Sequence, residues 1–230
     1  MRMPRLSGLL GAALAITAWV VVAAFPRTLS HEARTHGTGE PGCGASGCEP
    51  EADPLVEAID AQIAARMPGL ADGDRTRLAS TIVLEAEAAR IDPLLVLALI
   101  EVESSFDARA LSGAGAKGLM QLRESTLRRE LERVGLPAGD PHDPVLNVRA
   151  GVRYLRRLLD AFGREEVALM AYNAGPNRIL GYLREGAIPQ RFHVYPRRVK
   201  AELRRIRRDI GDERPAEAVA AAAAPAPVAE

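Results

Sequence analysis

The chain has 230 residues, of which 47% are hydrophobic and 26% are charged, a composition that suits one folded domain with additional segments and excludes a wholly disordered protein. Thirty basic and thirty acidic side chains give a formal net charge of zero, so the chain lacks the basic excess of a dedicated nucleic-acid-binding protein. Two cysteines are too few for a disulfide framework and, on their own, for a four-ligand zinc site.

The first 25 residues have the pattern of an export segment. Arg2 and Arg5 precede twenty residues, 6–25, that carry no charge. Small side chains near the end of this run favour a cleaved signal peptide, whereas its length is sufficient for a retained helix across about 30 Å of bilayer. Because the positive charges come first, we expect the remainder to be exported to the periplasm or cell envelope, anchored in the inner membrane if the segment is retained.

Two further segments have the composition of flexible chain. Residues 26–53 are rich in glycine, proline and small polar residues without helical or strand periodicity, which predicts a flexible linker. Cys43 and Cys48 lie in this linker, where an intramolecular loop and an interchain disulfide both remain open. Residues 214–230 are rich in alanine and proline, which predicts a disordered tail.

Residues 54–213 are the predicted folded body, which we expect to be all-α. Apolar residues recur about every 3.6 positions, beginning with Leu55, Ile59 and Ile63. Asp74 is the predicted N-cap of a helix that continues to about residue 91. The Asp-Pro pairs at 92–93 and 143–144 predict the starts of two more helices. No alternating pattern favours a strand, and the remaining helices are predicted at 125–134, 164–173, 176–185 and 194–210.

The helix predicted at 92–105 is apolar on every side, which indicates a buried, central helix. It carries Glu101 and Glu103 near its C-terminal end. Burial and the negative end of the helix dipole both disfavour a charged carboxylate there, so both raise its pKa toward the range that a general acid needs. Each glutamate shares a face with apolar residues, so the periodicity does not choose between them. A glutamate that reaches solvent or pairs with an arginine is the structural alternative.

Three motifs together resemble one family. They are Glu-Ser-x-Phe at 103–106, Gly-Ala-x-Gly-Leu-Met-Gln at 115–121 and Ala-Tyr-Asn-x-Gly at 171–175. The family is the soluble-lytic-transglycosylase type of peptidoglycan lytic enzyme, whose lysozyme-like helical fold is related to goose-type lysozyme. Asn147 and the Gly-x-x-Tyr-Leu string at 151–155 extend the resemblance, which covers about residues 85–200.

The resemblance implies one catalytic residue, Glu103, which acts as acid and base. It also implies a set of substrate contacts: Ser112, Gly118, Met120, Gln121, Tyr172, Asn173 and Tyr195. Within this set, Met120 and Gln121 are expected to line the cleft, the Tyr172 hydroxyl to orient the glutamate, and the glycine at position 118 to let the backbone approach a sugar. Tyr195 is the counterpart of a tyrosine in a closing Thr-Arg-x-Tyr-Val string that this chain otherwise lacks.

The motifs supply one carboxyl group, whereas most glycosidases use two. Asp107, Glu85 and Glu87 are candidates for a partner, but no motif marks them. The resemblance implies that Glu103 alone cleaves the β-1,4 bond between N-acetylmuramic acid and N-acetylglucosamine in peptidoglycan strands and closes a 1,6-anhydro ring, without metal or cofactor. Hydrolysis of the same bond and non-catalytic glycan binding remain as alternatives. The sequence fixes neither the oligomeric state nor whether cleavage is internal or from strand ends.

The stretch 188–208 is strongly basic, with eight lysines and arginines and one glutamate. Apolar residues on one face of its helix predict packing against the body. The cations are then either a solvated outer face or a surface that attracts anionic phospholipid or the peptide-stem carboxylates of the wall.

Overall fold

The structure is a computed structural model that describes residues 53–211. The predicted export segment, most of the linker and the predicted tail lie outside the described residues, so those three assignments and their boundaries stay predictions. The described elements are α1 (Pro54–Arg66), α2 (Asp72–Ala88), α3 (Pro93–Ser104), β1 (Ala116–Lys117), β2 (Leu122–Arg123), α4 (Glu124–Glu132), α5 (Pro144–Phe162), α6 (Glu165–Ala174), α7 (Pro176–Arg184) and α8 (Val194–Asp209), with a 3₁₀ turn at Gln190–His193.

Aspartate followed by proline starts two helices as predicted. The Asp92 side chain accepts a hydrogen bond from the Leu94 amide at 3.0 Å, and Asp143 accepts one from the Leu146 amide at 2.9 Å. Each carboxylate satisfies an amide that has no partner within the helix, while the proline has no amide hydrogen to satisfy.

The predicted start of α2 is wrong by three residues, since the cap position is residue 71 and not residue 74. The helix begins at Asp72 after Ala71, which makes no side-chain capping bond. Asp74 therefore lies inside the first turn, where its negative charge favours the helix through the dipole and not through a cap.

α3 is the core helix, as its composition predicts. Every residue from Pro93 to Ile100 is buried. α8 packs along it in the antiparallel direction, since Asp92 at the start of α3 binds Arg207 near the end of α8, and Glu103 at the end of α3 binds Tyr195 at the start of α8. The Asp92–Arg207 pair is itself buried, with an Nη2–Oδ2 distance of 2.6 Å.

The expectation of no strand needs one correction. β1 and β2 pair in antiparallel register, Ala116 with Arg123 and Lys117 with Leu122, across the tight turn at 118–121. Strands of two residues are too short to give an alternating pattern, so the sequence does not signal them.

The prediction of an all-α, lysozyme-like domain is confirmed, with this small hairpin as its addition. Across residues 53–211, no helix combines the length and the apolar character that crossing a bilayer requires.

Candidate active site

Glu103 lies in the last turn of α3 and is half-buried. Burial raises the pKa of its carboxyl group from 4.5 to about 7, because the charged form loses hydration. A hydrogen bond from Tyr195 and the positive charge of Arg198 oppose this rise but do not cancel it. A carboxyl group that titrates near neutrality can donate a proton and take one back, as general acid–base catalysis requires.

Tyr195, in the first turn of α8, holds this carboxyl group. Its hydroxyl donates a hydrogen bond to Glu103 Oε1 at 2.5 Å. Burial raises the pKa of the Tyr195 hydroxyl well above its usual range, and the neighbouring carboxylate charge raises it further. The phenol therefore stays protonated and acts as a donor, which orients Glu103 toward the start of α8.

Tyr172 does not orient Glu103, so that expectation is wrong. Its hydroxyl donates to the carbonyl oxygen of Met120 at 2.8 Å. Burial raises the pKa of the Tyr172 hydroxyl well above its usual range, and the charge of Glu103 raises it further. Tyr172 also packs against Tyr154, with ring centroids 5.3 Å apart.

Glu101 has a structural partner, which separates it from Glu103. Arg66 in α1 binds Glu101 Oε2 through Nε at 3.0 Å. Arg66 is fixed in turn by Gln62, whose backbone carbonyl and side-chain oxygens both accept from its Nη1. Glu101 thus joins α3 to α1 as an ion pair, which is the alternative that the sequence left open.

The acids considered as a second catalytic carboxylate are bound or exposed. Glu85 pairs with Arg149 at 2.7 Å and with Arg153 at 2.9 Å. Asp107 accepts a hydrogen bond from the backbone amide of Arg109, and Glu87 is exposed. Within the described residues, the groups that shift the pKa of Glu103 include no other carboxylate.

A buried asparagine builds the turn beside the site. The Asn147 side chain accepts a hydrogen bond from the Met120 amide at 2.8 Å and donates to the carbonyls of Lys117 and Pro141 at 3.0 and 2.8 Å. Ser104, next to the catalytic candidate, donates to the Leu119 carbonyl at 2.8 Å. These bonds tie α3, α5 and the hairpin turn together, which gives a structural reason for asparagine at position 147.

Two of the expected substrate contacts have packing roles in the structure. A Cβ atom at Gly118, where φ is +77°, would lie 2.4 Å from Asn147 Nδ2 and from the Pro141 carbonyl oxygen. The missing side chain makes room for these groups, and a contact between this backbone and a sugar stays a prediction. Met120 is completely buried and packs where Gly151 leaves space for its sulfur atom, so its side chain does not line a cleft.

Three other expected contacts lie in the loop after α3, in the hairpin turn and at the end of α6. Ser112 Oγ accepts from the Ala116 amide at 3.0 Å and closes the turn before β1. Gln121 has a left-handed backbone, with φ of 48°. Its side-chain nitrogen, Nε2, donates to the backbone carbonyls of Ala110 and Gly118. Asn173 is exposed at the end of α6 and, within residues 53–211, its side chain makes no hydrogen bond.

Sequence reasoning missed Arg198 as part of this site. It lies one helical turn beyond Tyr195 on α8, is exposed, and its charge lowers the pKa of Glu103. The available signal was the spacing of three residues from Tyr195, which places both on neighbouring positions of the helix.

Residues 80–191 match the family model of the transglycosylase SLT domain. This chain contains a domain of the soluble lytic transglycosylase type. The resemblance drawn from the three motifs is therefore confirmed. The match to the SLT domain includes Glu103, the hairpin turn and Tyr172, but ends before Tyr195.

Relatives of the SLT domain are much longer than the segment they share with it. A transglycosylase of Enterobacteria phage PRD1 is 37% identical over 98 residues, which cover 43% of this chain and 35% of the relative. Membrane-bound lytic murein transglycosylase C of Yersinia enterocolitica is 32% identical over 108 residues, which cover 41% and 30%. The shared segment is thus about a third of each relative.

The fold of the SLT domain is also seen in a crystal structure. An inactive mutant of the lytic transglycosylase Slt from Pseudomonas aeruginosa matches with a TM-score of 0.54 and 24% identity, over 68% of this chain and 30% of that one. At this level of identity the match shows the fold alone.

The domain has a groove near Glu103 that is lined by residues other than those of the candidate active site. It has a volume of about 290 Å³ and lies between the end of α1 and the segment after α3, lined by Arg66, Met67, Gly69, Leu70, Phe106, Asp107 and Ala108. Glu103 does not line it. The chemistry of the site therefore rests on the Glu103–Tyr195 pair.

Proposed function

We propose that this protein is a peptidoglycan lytic transglycosylase that cleaves the β-1,4 bond between N-acetylmuramic acid and N-acetylglucosamine. The observation that carries the proposal is the state of Glu103, a half-buried carboxyl group with a pKa of about 7 and a tyrosine donor on one oxygen. The SLT domain match and the lytic murein transglycosylases among the relatives support the substrate class.

The proposed reaction uses one carboxyl group twice. Protonated Glu103 donates its proton to the glycosidic oxygen, which leaves with the departing sugar. The N-acetyl oxygen of the muramic acid residue stabilises the positive charge that develops at the sugar carbon. The carboxylate of Glu103 then takes the proton from the muramic 6-hydroxyl, which closes the 1,6-anhydro ring and restores the acid. The cycle consumes no water and needs no metal or cofactor.

The neighbours of Glu103 support both halves of this cycle. The Tyr195 hydroxyl and the charge of Arg198 stabilise the carboxylate that exists between the two proton transfers. Gln121 keeps its amide oxygen without a partner among the described residues, so it can accept from a sugar hydroxyl or amide. Ser112 and Asn173 are assigned to substrate binding through the motifs that contain or adjoin them.

A cell-envelope location follows from the same proposal, because the substrate lies outside the cytoplasm. The relative from Yersinia enterocolitica is a membrane-bound enzyme by name, and another from Escherichia coli is a soluble one. We infer export through residues 1–25, either with cleavage or with retention as an inner-membrane anchor.

The test compares two glutamates on the same helix. Glu103→Gln keeps the shape of the side chain but cannot donate the proton, so release of soluble fragments from purified sacculi should fall by at least about a hundredfold. Glu101→Gln is the matched control, since it removes a carboxylate two residues away that binds Arg66, and it should retain lysis. Undiminished lysis by Glu103→Gln would contradict the proposal.

Mass spectrometry of the fragments separates the alternatives. Anhydro products are lighter by one water than the corresponding reducing sugars, so their presence supports the ring closure. Reducing ends would assign the same site to hydrolysis, as in goose-type lysozyme. Binding of sacculi without any fragment release by the unmodified protein would indicate a glycan-binding scaffold.

A further inference from the structure

The start of α8 must be placed accurately, because it carries the tyrosine that binds Glu103. The Tyr195 hydroxyl reaches Glu103 Oε1 at 2.5 Å, and a displacement of about 1 Å would break this hydrogen bond. At its far end, α8 is joined to α3 by the buried Asp92–Arg207 pair. That pair lies about 18 Å from Tyr195 along the helix axis, at about 1.5 Å per residue, so it does not fix the position of the tyrosine hydroxyl.

A side-chain bond next to Tyr195 joins the start of α8 to α6. His193 ends the 3₁₀ turn that leads into α8, and its Nδ1 lies 2.8 Å from Oε1 of Glu166 in the first turn of α6. The hydrogen bond from His193 lowers the pKa of Glu166 below its usual range. The carboxylate of Glu166 is therefore charged and accepts the bond, while Nδ1 of His193 donates it.

α6 supports this bond more firmly than α7 supports the other bond of the 3₁₀ turn. Residues 167–172 of α6 are all buried, whereas Ile179 alone is buried in α7. Arg191 of the turn donates to the Tyr182 hydroxyl of α7 at an exposed position. Within residues 53–211, His193 therefore makes the side-chain bond that ties the segment before Tyr195 to a core helix.

A second contact between α6 and α8 is weaker and lies further from Tyr195. Lys200 Nζ is 3.7 Å from Glu165 Oε1, and the two side chains are 44% and 41% exposed. Solvent screens such a pair, so it contributes little. The charges of Lys200 and Arg164 also lower the pKa of Glu166, but by less than its bond to the histidine.

We propose that His193 and Glu166 are positioning residues, whose bond holds the start of α8 so that the Tyr195 hydroxyl stays on Glu103. The inference rests on the proposed function, since it concerns the donor that supports the catalytic carboxylate. The side chains of His193 and Glu166 are 26% and 35% exposed, so their bond adds little to the stability of the domain. Its contribution is the placement of one hydroxyl group.

The effect of this pair on Glu103 can be separated from the effect of its charge. Besides burial, the groups among the described residues that shift the pKa of Glu103 are Tyr195 and Arg198, and the pair is not one of them. The bond from Tyr195 lowers the pKa of Glu103, so a displaced tyrosine lets that pKa rise above about 7. A change at Glu166 that raises the pKa of Glu103 therefore acts through Tyr195.

The experiment compares Glu166→Ala with Glu165→Ala in the full chain. Both remove one acid from the first turn of α6, but only Glu166→Ala removes the bond to His193. Each substitution is also combined with Tyr195→Phe. The pKa of Glu103 is measured by carbon-13 NMR of its carboxyl group without substrate, and kcat/KM for lysis of sacculi is measured against pH.

We expect the pKa of Glu103 to be higher in Glu166→Ala than in Glu165→Ala by roughly 0.5, and the basic limb of the kcat/KM profile to move to higher pH with it. The rate at the optimum should fall by roughly three- to fivefold. In the Tyr195→Phe background the two substitutions should give the same pKa, because the hydroxyl that the pair positions is gone. Equal pKa values in the two single variants would overturn the inference, and so would a rise that persists with Tyr195→Phe.

Failure of this inference differs from failure of the proposed function. If Glu103→Gln abolishes fragment release while Glu166→Ala leaves the pKa of Glu103 unchanged, only the positioning role is wrong. If Glu103→Gln still releases fragments, the catalytic assignment is wrong, and the NMR titration still decides the positioning role. His193→Ala removes the other partner and must reproduce the rise in pKa. Thermal unfolding of the single variants, expected to coincide within about 3 °C, shows that the shift does not come from misfolding.

Discussion

Glu101 and Glu103 are two residues apart on α3, yet the groups around them give them different chemistry. Glu101 has an arginine at 3.0 Å, whereas Glu103 has a neutral hydroxyl and, because of burial, a pKa of about 7. The partner of Glu101, Arg66, comes from 35 positions earlier in the chain. Hydrophobic periodicity places residues on faces of one helix and carries no information about such a partner.

The sequence also does not show which tyrosine hydroxyl contacts the carboxyl group of Glu103. The motif around Tyr172 is well preserved, so the sequence assigns it to the glutamate, while Tyr195 stands in a string that departs from the family pattern. In the structure the hydroxyl of Tyr172 goes to the Met120 carbonyl and that of Tyr195 goes to Glu103. Which hydroxyl reaches a carboxyl group depends on how α6 and α8 pack on α3.

Tyr195→Phe tests the hydrogen bond to Glu103. The bond stabilises the charged carboxylate, so its loss should raise the pKa of Glu103 above its value of about 7. Glu103 must be protonated to begin the reaction, and kcat/KM therefore falls as the pH rises through this pKa. We expect the basic limb of the pH profile of kcat/KM on sacculi to move to higher pH, with a loss of roughly tenfold at the optimum from poorer orientation.

Tyr182→Phe is the control for that profile, because the Tyr182 hydroxyl accepts from Arg191 and does not contact Glu103. It should leave the basic limb in place. A Tyr195→Phe profile that lost rate without any shift of the limb would mean that the hydroxyl does not act on the charge of the carboxyl group.

At the scale of elements, the helices follow from local signals and the hairpin does not. Asp92 and Asp143 cap the helices that their sequence neighbours predict, since a cap depends on three or four adjacent residues. The turn at 118–121 depends on Asn147, which lies on α5 and reaches three backbone groups. Gln121 in this turn has a left-handed backbone that is strained for a residue other than glycine, and the bonds of the distant Asn147 hold the turn in that shape.

Gly118→Ala tests how tightly this turn is built. Alanine at this position must adopt a φ of about +77° and place its Cβ on Asn147 and Pro141. We expect the free energy of unfolding to fall by roughly 2–4 kcal/mol in urea titrations, from backbone strain and overpacking together. Lysis of sacculi should fall with it at temperatures where the protein is still folded, because the turn adjoins α3.

Gly113→Ala is the matched substitution. Its Cβ would meet no atom within 4 Å, and its φ lies outside the left-handed range, so stability should change by less than about 0.5 kcal/mol. Equal effects of the two substitutions would show that the close approach at Gly118 relaxes without cost.

For the whole molecule, the site is completed by elements outside the matched segment. The SLT domain match covers 80–191, yet Tyr195, which donates to Glu103, lies on α8. α8 also covers the central helix with buried side chains that include Val199, Leu203 and Ile206. The sequence predicts these helices from their periodicity, but their place against α3 follows only from the packing of the whole domain.

Truncation before α8 tests whether the segment that matches the SLT family model folds and acts without this helix. A chain of residues 53–211 should unfold cooperatively and lyse sacculi, whereas one that ends at residue 191 should do neither. Each buried apolar side chain of α8 contributes roughly 1.5–3 kcal/mol, so losing four of them removes an amount comparable to the whole stability of a domain, about 5–15 kcal/mol. Circular dichroism during thermal unfolding, alongside fragment release from sacculi, measures both properties. Cooperative unfolding and lysis by the shorter chain would mean that α3 needs neither the packing face of α8 nor the donor that Tyr195 supplies to Glu103.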